Sequence, residues 1–190
     1  MIESTIRNGK DVLDSWRRGN VCDPSANVIA FDCQIFPTKG LNGTVLRNHV
    51  GTHPGHLAQL NSIASESALQ KCVQSCFHAL SHCTSDKLEV LLYGSSGRYA
   101  NVSMSLVLQT LLKTNSGVLG VAVTHLSEPA WRASPRFCFR CEECCQYIYP
   151  GSAGFKNMCT LADKCYSKGW TRKCSIPKTL VAVRWSSTTV

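Results

Sequence analysis

Seven of the twelve cysteines lie within residues 138–174: Cys138, Cys141, Cys144, Cys145, Cys159, Cys165 and Cys174. The run Cys138-x-x-Cys141-x-x-Cys144-Cys145 sets two thiols across a tight knuckle, with a third one step on. Zinc takes four ligands in a tetrahedron, commonly as two close pairs. Cys138 and Cys141 form one pair. The second comes from Cys144 or Cys145 together with Cys159 or Cys165, and the surplus leaves the set open. A second site using Cys174 would have barely enough ligands. The competing readings are a disulfide-linked appendage and a cluster of free thiols. A redox pair needs a thioredoxin-like strand–turn–helix, which Pro135-Arg136-Phe137 does not offer. The first 19 residues contain no apolar stretch of the kind that marks a signal peptide. The expected location is therefore cytoplasmic or nuclear, where clustered cysteines hold metal more often than they form disulfides. Zinc is the expected cofactor.

A second chemistry sits in LLYGSSGRYANVS. A strand runs into Gly94-Ser95-Ser96-Gly97-Arg98 and then into a helix. Small residues let the backbone approach an anion, and the N–H groups at the helix start point at it. Ser95 and Ser96 add hydroxyl donors, and Arg98 adds charge. Neither G-x-x-x-x-G-K-[ST] nor G-x-G-x-x-G is present, and a tight strand–helix turn explains the glycines as well as an anion site does. Asp32 and His125 end two other expected strands. Ligands of parallel sheets bind outside the carboxyl ends of strands, so Asp32, the 94–98 turn and His125 are the candidate ligand-binding residues. The bland alternative has Asp32 capping its own loop. A hydrolase using Asp32, Arg98 and His125 is the enzymatic alternative, but no nucleophile–base pair lies in a recognisable motif.

Three segments, VIAFDCQIFP, LEVLLYGSSGRYANVSM and VLGVAVTHLSE, resemble the C-terminal domain of the RNase adapter protein RapZ, in the same order and with similar spacing. That family shows a strand ending F-D-x-R-F-x-P, a strand with G-C-T-G-G-[KR]-H-R-S-V entering a helix, and a strand ending His-Arg. Phe31, Asp32, Pro37, Gly97, Arg98, Val102 and His125 stand on matching positions. Gln34, Tyr99-Ala100-Asn101 and Leu126 stand where the family has Arg, His-Arg-Ser and Arg. The resemblance implies a small α/β domain whose loops bind a phosphorylated amino sugar and, in bacteria, a small regulatory RNA. It implies an adapter rather than an enzyme.

Alternating elements must position these residues. VIAFDC at 28–33, LEVLLY at 88–93 and VLGVAVT at 118–124 are short apolar runs that predict neighbouring parallel strands. Residues 57–83 carry apolar residues at three- and four-residue spacing and predict a helix, whole or interrupted; residues 100–113 predict another. Cys72 and Cys76 lie on the apolar stripe and read as core thiols, and His78 and His82 read as surface residues. The segment FPTKGLNGTVLRNHVGTHPGH is too rich in Gly and Pro for regular structure, and loops of that length are often functional. LVAVRW at 180–185 predicts a late strand at a sheet edge. The expected organisation is an N-terminal helix or arm at 1–20, an α/β domain at 21–130, a cysteine-rich zinc module at 131–178, and an edge strand and tail at 179–190.

Charge divides along the same line. Residues 1–131 carry ten Lys and Arg against nine Asp and Glu, while 132–190 carry ten against three. A local excess of +7 attracts polyanions. Trp131, Phe137, Phe139, Tyr147, Tyr149, Phe155, Tyr166 and Trp170 are interleaved with it, either to stack on nucleic-acid bases or to form the segment's own core. No apolar stretch reaches the ~20 residues of a membrane span. The expectation is a non-catalytic binding or adapter domain for an anionic ligand, a phosphorylated small molecule or RNA. A purely structural zinc module that docks a protein partner is the third reading.

Overall fold

The computed structural model describes residues 26–36, 46, 48–94, 99–114, 118–125, 138, 141–145, 147–171 and 179–187, without the side chains of 125, 179–180 and 184–187. The expected N-terminal arm at 1–20 lies outside the described residues. Four strands form one sheet: β1 (Asn27–Asp32), β2 (Lys87–Gly94), β3 (Val118–His125) and β4 (Thr179–Ser187). All pairings are parallel, in the order β1-β2-β4-β3. The α/β class expected from the alternating runs is present.

One strand departs from expectation. β4 is not at the edge; it pairs with β2 from Lys87↔Leu180 to Gly94↔Ser187 and with β3 from Val118↔Thr179 to His125↔Trp185. β2 and β3 are therefore not neighbours. An unbroken apolar run marks a strand covered on both faces, not one with two neighbours: VLGVAV of β3 is as apolar as LVAV and stands at the edge. The late place of LVAV in the chain suggested an edge, and strand order does not follow from the run.

Leu88, Val90 and Leu92 of β2 meet Val181 and Val183 of β4 in one core with the helices. The expected 57–83 helix is two: α1 (Pro54–Leu60) and α2 (Ile63–Ser81). Asn61 closes the first and Ser62, in extended conformation, opens the second. Cys72 and Cys76 are buried on the inner face of α2, and His78 and His82 are exposed. The third helix, α3 (Ala100–Lys113), matches its expected bounds and buries Leu106, Leu108, Leu111 and Leu112. A single turn, α4 (Glu142–Cys145), and α5 (Ala153–Ser167) follow.

The cysteine-rich segment shares this core. Met158, Leu161, Ala162 and Cys165 of α5 and the following Trp170 join the same buried cluster as α2 and α3. Ser152 caps α5 by accepting from the Phe155 N–H. Gly169, at φ 66°, lets the chain reverse, so that the Gly169 N–H donates to Tyr166 O and the Trp170 N–H to Cys165 O. That double closure is a Schellman stop, and it turns Trp170 inward. Tyr147 and Phe155 also pack on the core, while Tyr149 and Tyr166 are exposed.

Glu66 of α2 clasps α5 from outside, 3.3 Å from each of the Lys164 and Lys168 ammonium groups. Hydrogen bonds from Lys164 and Lys168 hold its carboxyl below the ordinary 4.5. The unfolded chain takes up this proton at a higher pH than the folded one, so the clasp stabilises fully above pH 4.5 and is lost as pH falls below it. Exposure keeps the effect small. Glu66→Gln should lower the melting temperature at pH 7, less so in 1 M salt, and the difference should shrink as the pH falls below 4.5. A difference that neither acid nor salt reduces would refute the electrostatic account.

Candidate metal centre

The loop before α1 folds back onto the cysteine knuckle. Asn48 O accepts from the Cys138 N–H, and His49 and Cys138 form an isolated parallel bridge. This register brings the His49 ring against the thiols. Its Nδ1 lies 3.4 Å from Cys144 Sγ and 3.5 Å from Cys141 Sγ. Ligand atoms of His49, Cys138, Cys141 and Cys144 all lie within 4.8 Å of one another. The four can hold a metal ion.

Cys144 is poorly placed to ionise without one. Burial, and then the hydrogen bond and charge of Cys141, push the Cys144 thiol well up. Burial, with His53 beside it, pushes the His49 imidazole down. Three sulfurs this close repel as thiolates, whereas a divalent cation among them favours the thiolates and the neutral imidazole at once.

The remaining expected ligands are not brought to this cluster. Cys145 follows Cys144 on α4, about 100° further round the helix, and is exposed. Cys159 is half-buried on α5. Cys165 is buried in the core, with its thiol pushed up to about 11 by desolvation. Cys174 lies outside the described residues. The ten described cysteines are all free thiols. His49 is the fourth candidate ligand, and no cysteine-only count finds it. The signal was HVGTHPGH, three histidines in a loop already too long to be a mere connection.

This loop also reaches the candidate ligand edge. Ser103 of α3 donates its hydroxyl to Gly51 O at 2.6 Å, and the His56 ring stacks on Tyr99 at 4.9 Å. Burial lowers the His56 imidazole to about 4 and keeps it neutral at physiological pH. The metal cluster is thus bound, through residues 49–56, to the start of the helix that follows the 94–98 turn. Of that turn, Gly94 is buried at the end of β2, with the Asn101 side chain lying over it. Ser95, Ser96, Gly97 and Arg98 lie outside the described residues. Asp32 ends β1 opposite Tyr93, and its carboxylate accepts from the Gln34 N–H at 2.8 Å, capping a short 3-10 turn at Cys33–Ile35. His125 ends β3, with β4 between it and β2. Comparison with family models, curated proteins and solved structures finds no match to this chain.

Gly51 is the contact point between the His49 loop and the start of α3. A Cβ there would meet Tyr99 O, with Ser103 N and Val102 Cβ at 2.7 Å. Two of those atoms are backbone and cannot swing aside. Gly51→Ala should cost about 1–3 kcal/mol by overpacking, and should weaken metal binding by displacing His49. Urea unfolding and a zinc titration would check both effects. A variant with wild-type stability and affinity would show that the close approach is not needed.

Proposed function

We propose that this chain is a non-catalytic binding domain that takes a phosphorylated small molecule at the carboxyl edge of its sheet, with one zinc ion bracing the loop there. The observation that carries this reading is the spacing of His49 Nδ1 from the two thiols, 3.4 and 3.5 Å. Zinc with a bond of 2.0–2.1 Å to nitrogen and 2.3 Å to sulfur sets tetrahedral nitrogen and sulfur about 3.6 Å apart. Thiolate-rich, four-ligand sets suit zinc, and a set closed by protein ligands leaves no position for a substrate. Such a zinc is structural.

The anion reading rests on the resemblance to the RapZ C-terminal domain and on the place of the brace, beside the helix that Gly94–Arg98 enters. A hydrolase built on Asp32, Arg98 and His125 is less well supported. Asp32 and His125 end strands three places apart, about 14 Å by strand spacing, and the Asp32 carboxylate already caps a turn. RNA binding is also less favoured, because Trp170, Tyr147 and Phe155 pack on the core rather than standing free to stack on bases.

Elemental analysis of protein purified without chelator should give about one zinc per chain, and cobalt substitution should give intense thiolate charge-transfer absorption. Cys138→Ser should lose the metal yet keep the sheet folded. In an NMR titration, hexosamine phosphates should shift residues 94–103, and Arg98→Ala should bind them about ten- to hundred-fold more weakly. Metal-free protein with no cobalt spectrum would remove the brace. Unmoved resonances in that turn would remove the ligand.

A further inference from the structure

We infer that His53 and Glu143 form a positioning pair that sets how tightly the cluster holds its metal. The inference rests on the cluster being a zinc centre and adds two residues outside its ligand set. His53 caps α1: its Nδ1 accepts from the Gly55 N–H at 3.0 Å. That bond settles the tautomer, because Nδ1 cannot also carry the proton. Nε2 therefore carries it and donates to Glu143 Oε2 at 2.7 Å. The His53 ring lies 4.3 Å from the His49 ring, at 51° to it, and forms a wall against the metal-facing imidazole.

Glu143 sits between Cys141 and Cys144 in the chain, on the turn that carries Cys144. The Nε2–H···Oε2 bond therefore runs from the histidine side of the cluster to the cysteine side. A helix of four residues has too few hydrogen bonds to hold itself, so its position depends on what it is tied to. The His53 side chain is 11% exposed, so losing its acceptor would leave a poorly hydrated N–H, which is unfavourable. Glu143 is 61% exposed and can be replaced without opening the core. Outer groups hydrogen-bonded directly to ligands typically change affinity about 10- to 100-fold; this pair acts one step removed, through the ring contact with His49 and the α4 turn, so the lower end of that range is expected.

Glu143 variants test this without disturbing the cap of α1. Zinc affinity would be measured by competition with a chromophoric chelator, and cobalt spectra would report ligand geometry. Glu143→Ala should raise the zinc dissociation constant about tenfold and shift the cobalt ligand-field bands, while the metal-free protein stays folded, with a melting temperature only slightly lowered by the His53 N–H left without its acceptor. Glu143→Gln keeps an oxygen that accepts from His53 and should stay within about threefold of wild type. Zinc binding by Glu143→Ala within twofold of wild type would overturn the inference, as would a Gln variant as weak as the Ala variant. A wild-type chain that takes up no zinc or cobalt would instead sink the metal reading itself.

Discussion

Residues 89 to 95 positions apart in sequence are drawn together at one point: His49 from the loop before α1, and Cys138, Cys141 and Cys144 from the segment after β3. Much else depends on that convergence. The loop carrying His49 has few apolar residues to anchor it, and its glycines and prolines preclude a self-supporting element. Among its described residues Val50 is buried, and polar contacts are made on two flanks. One flank is the thiol cluster. The other is the start of α3, met through Gly51, Ser103, His56 and Tyr99. A cation in the cluster would convert repelling thiolates into a crosslink between distant parts of the chain, an effect equivalent to closing a long loop.

Seven of the ten described cysteines fall into two physical classes. Cys33, Cys72, Cys76 and Cys165 are buried in the core. Desolvation raises the thiols of Cys33, Cys72 and Cys165 above their ordinary range. They act as small apolar side chains and have little nucleophilic character. Cys138, Cys141 and Cys144 gather around one imidazole instead. The difference lies in the neighbours. Core thiols have at most one another nearby, Cys72 lying beside Cys33, Cys76 and Cys165, whereas the cluster thiols converge with an imidazole within 4.8 Å.

The layout of the sheet was legible where periodicity was strong. α3 has an apolar residue at nearly every inward position, and its expected bounds hold. β1, β2 and β3 are short apolar runs between turn residues and lie where expected. The place of β4 was not legible, because strand order depends on which edges meet in three dimensions, and LVAV reads alike beside one neighbour or two. Cys138-x-x-Cys141-x-x-Cys144 announced three of the four ligands through local spacing alone. His49 could not be found that way, since its approach rests on the Asn48–Cys138 bridge, a contact between segments with no shared pattern. Cys165 was misleading for the opposite reason. It lies close in sequence to the knuckle but on the inner face of α5, and helical phase outweighs proximity.

The location of the cluster bears on the choice between binding and catalysis. Parallel sheets build ligand sites from the loops at their carboxyl ends, and a loop has to be stiff to select one ligand over another, because any ordering left until binding reduces affinity. A larger core could provide that stiffness, but the carboxyl edge must stay open to admit a ligand. A closed four-ligand metal site provides rigidity in a small volume, at the side of the edge rather than across it. His53 and Glu143 extend the same logic by one shell: the imidazole is tied to the α1 cap on one side and to the knuckle on the other. Among the described residues, the four candidate ligand atoms lie within 4.8 Å of one another, and the Asp32 carboxylate caps its own turn. On the proposed binding reading, metal loading would act through the order of the loop that carries His49.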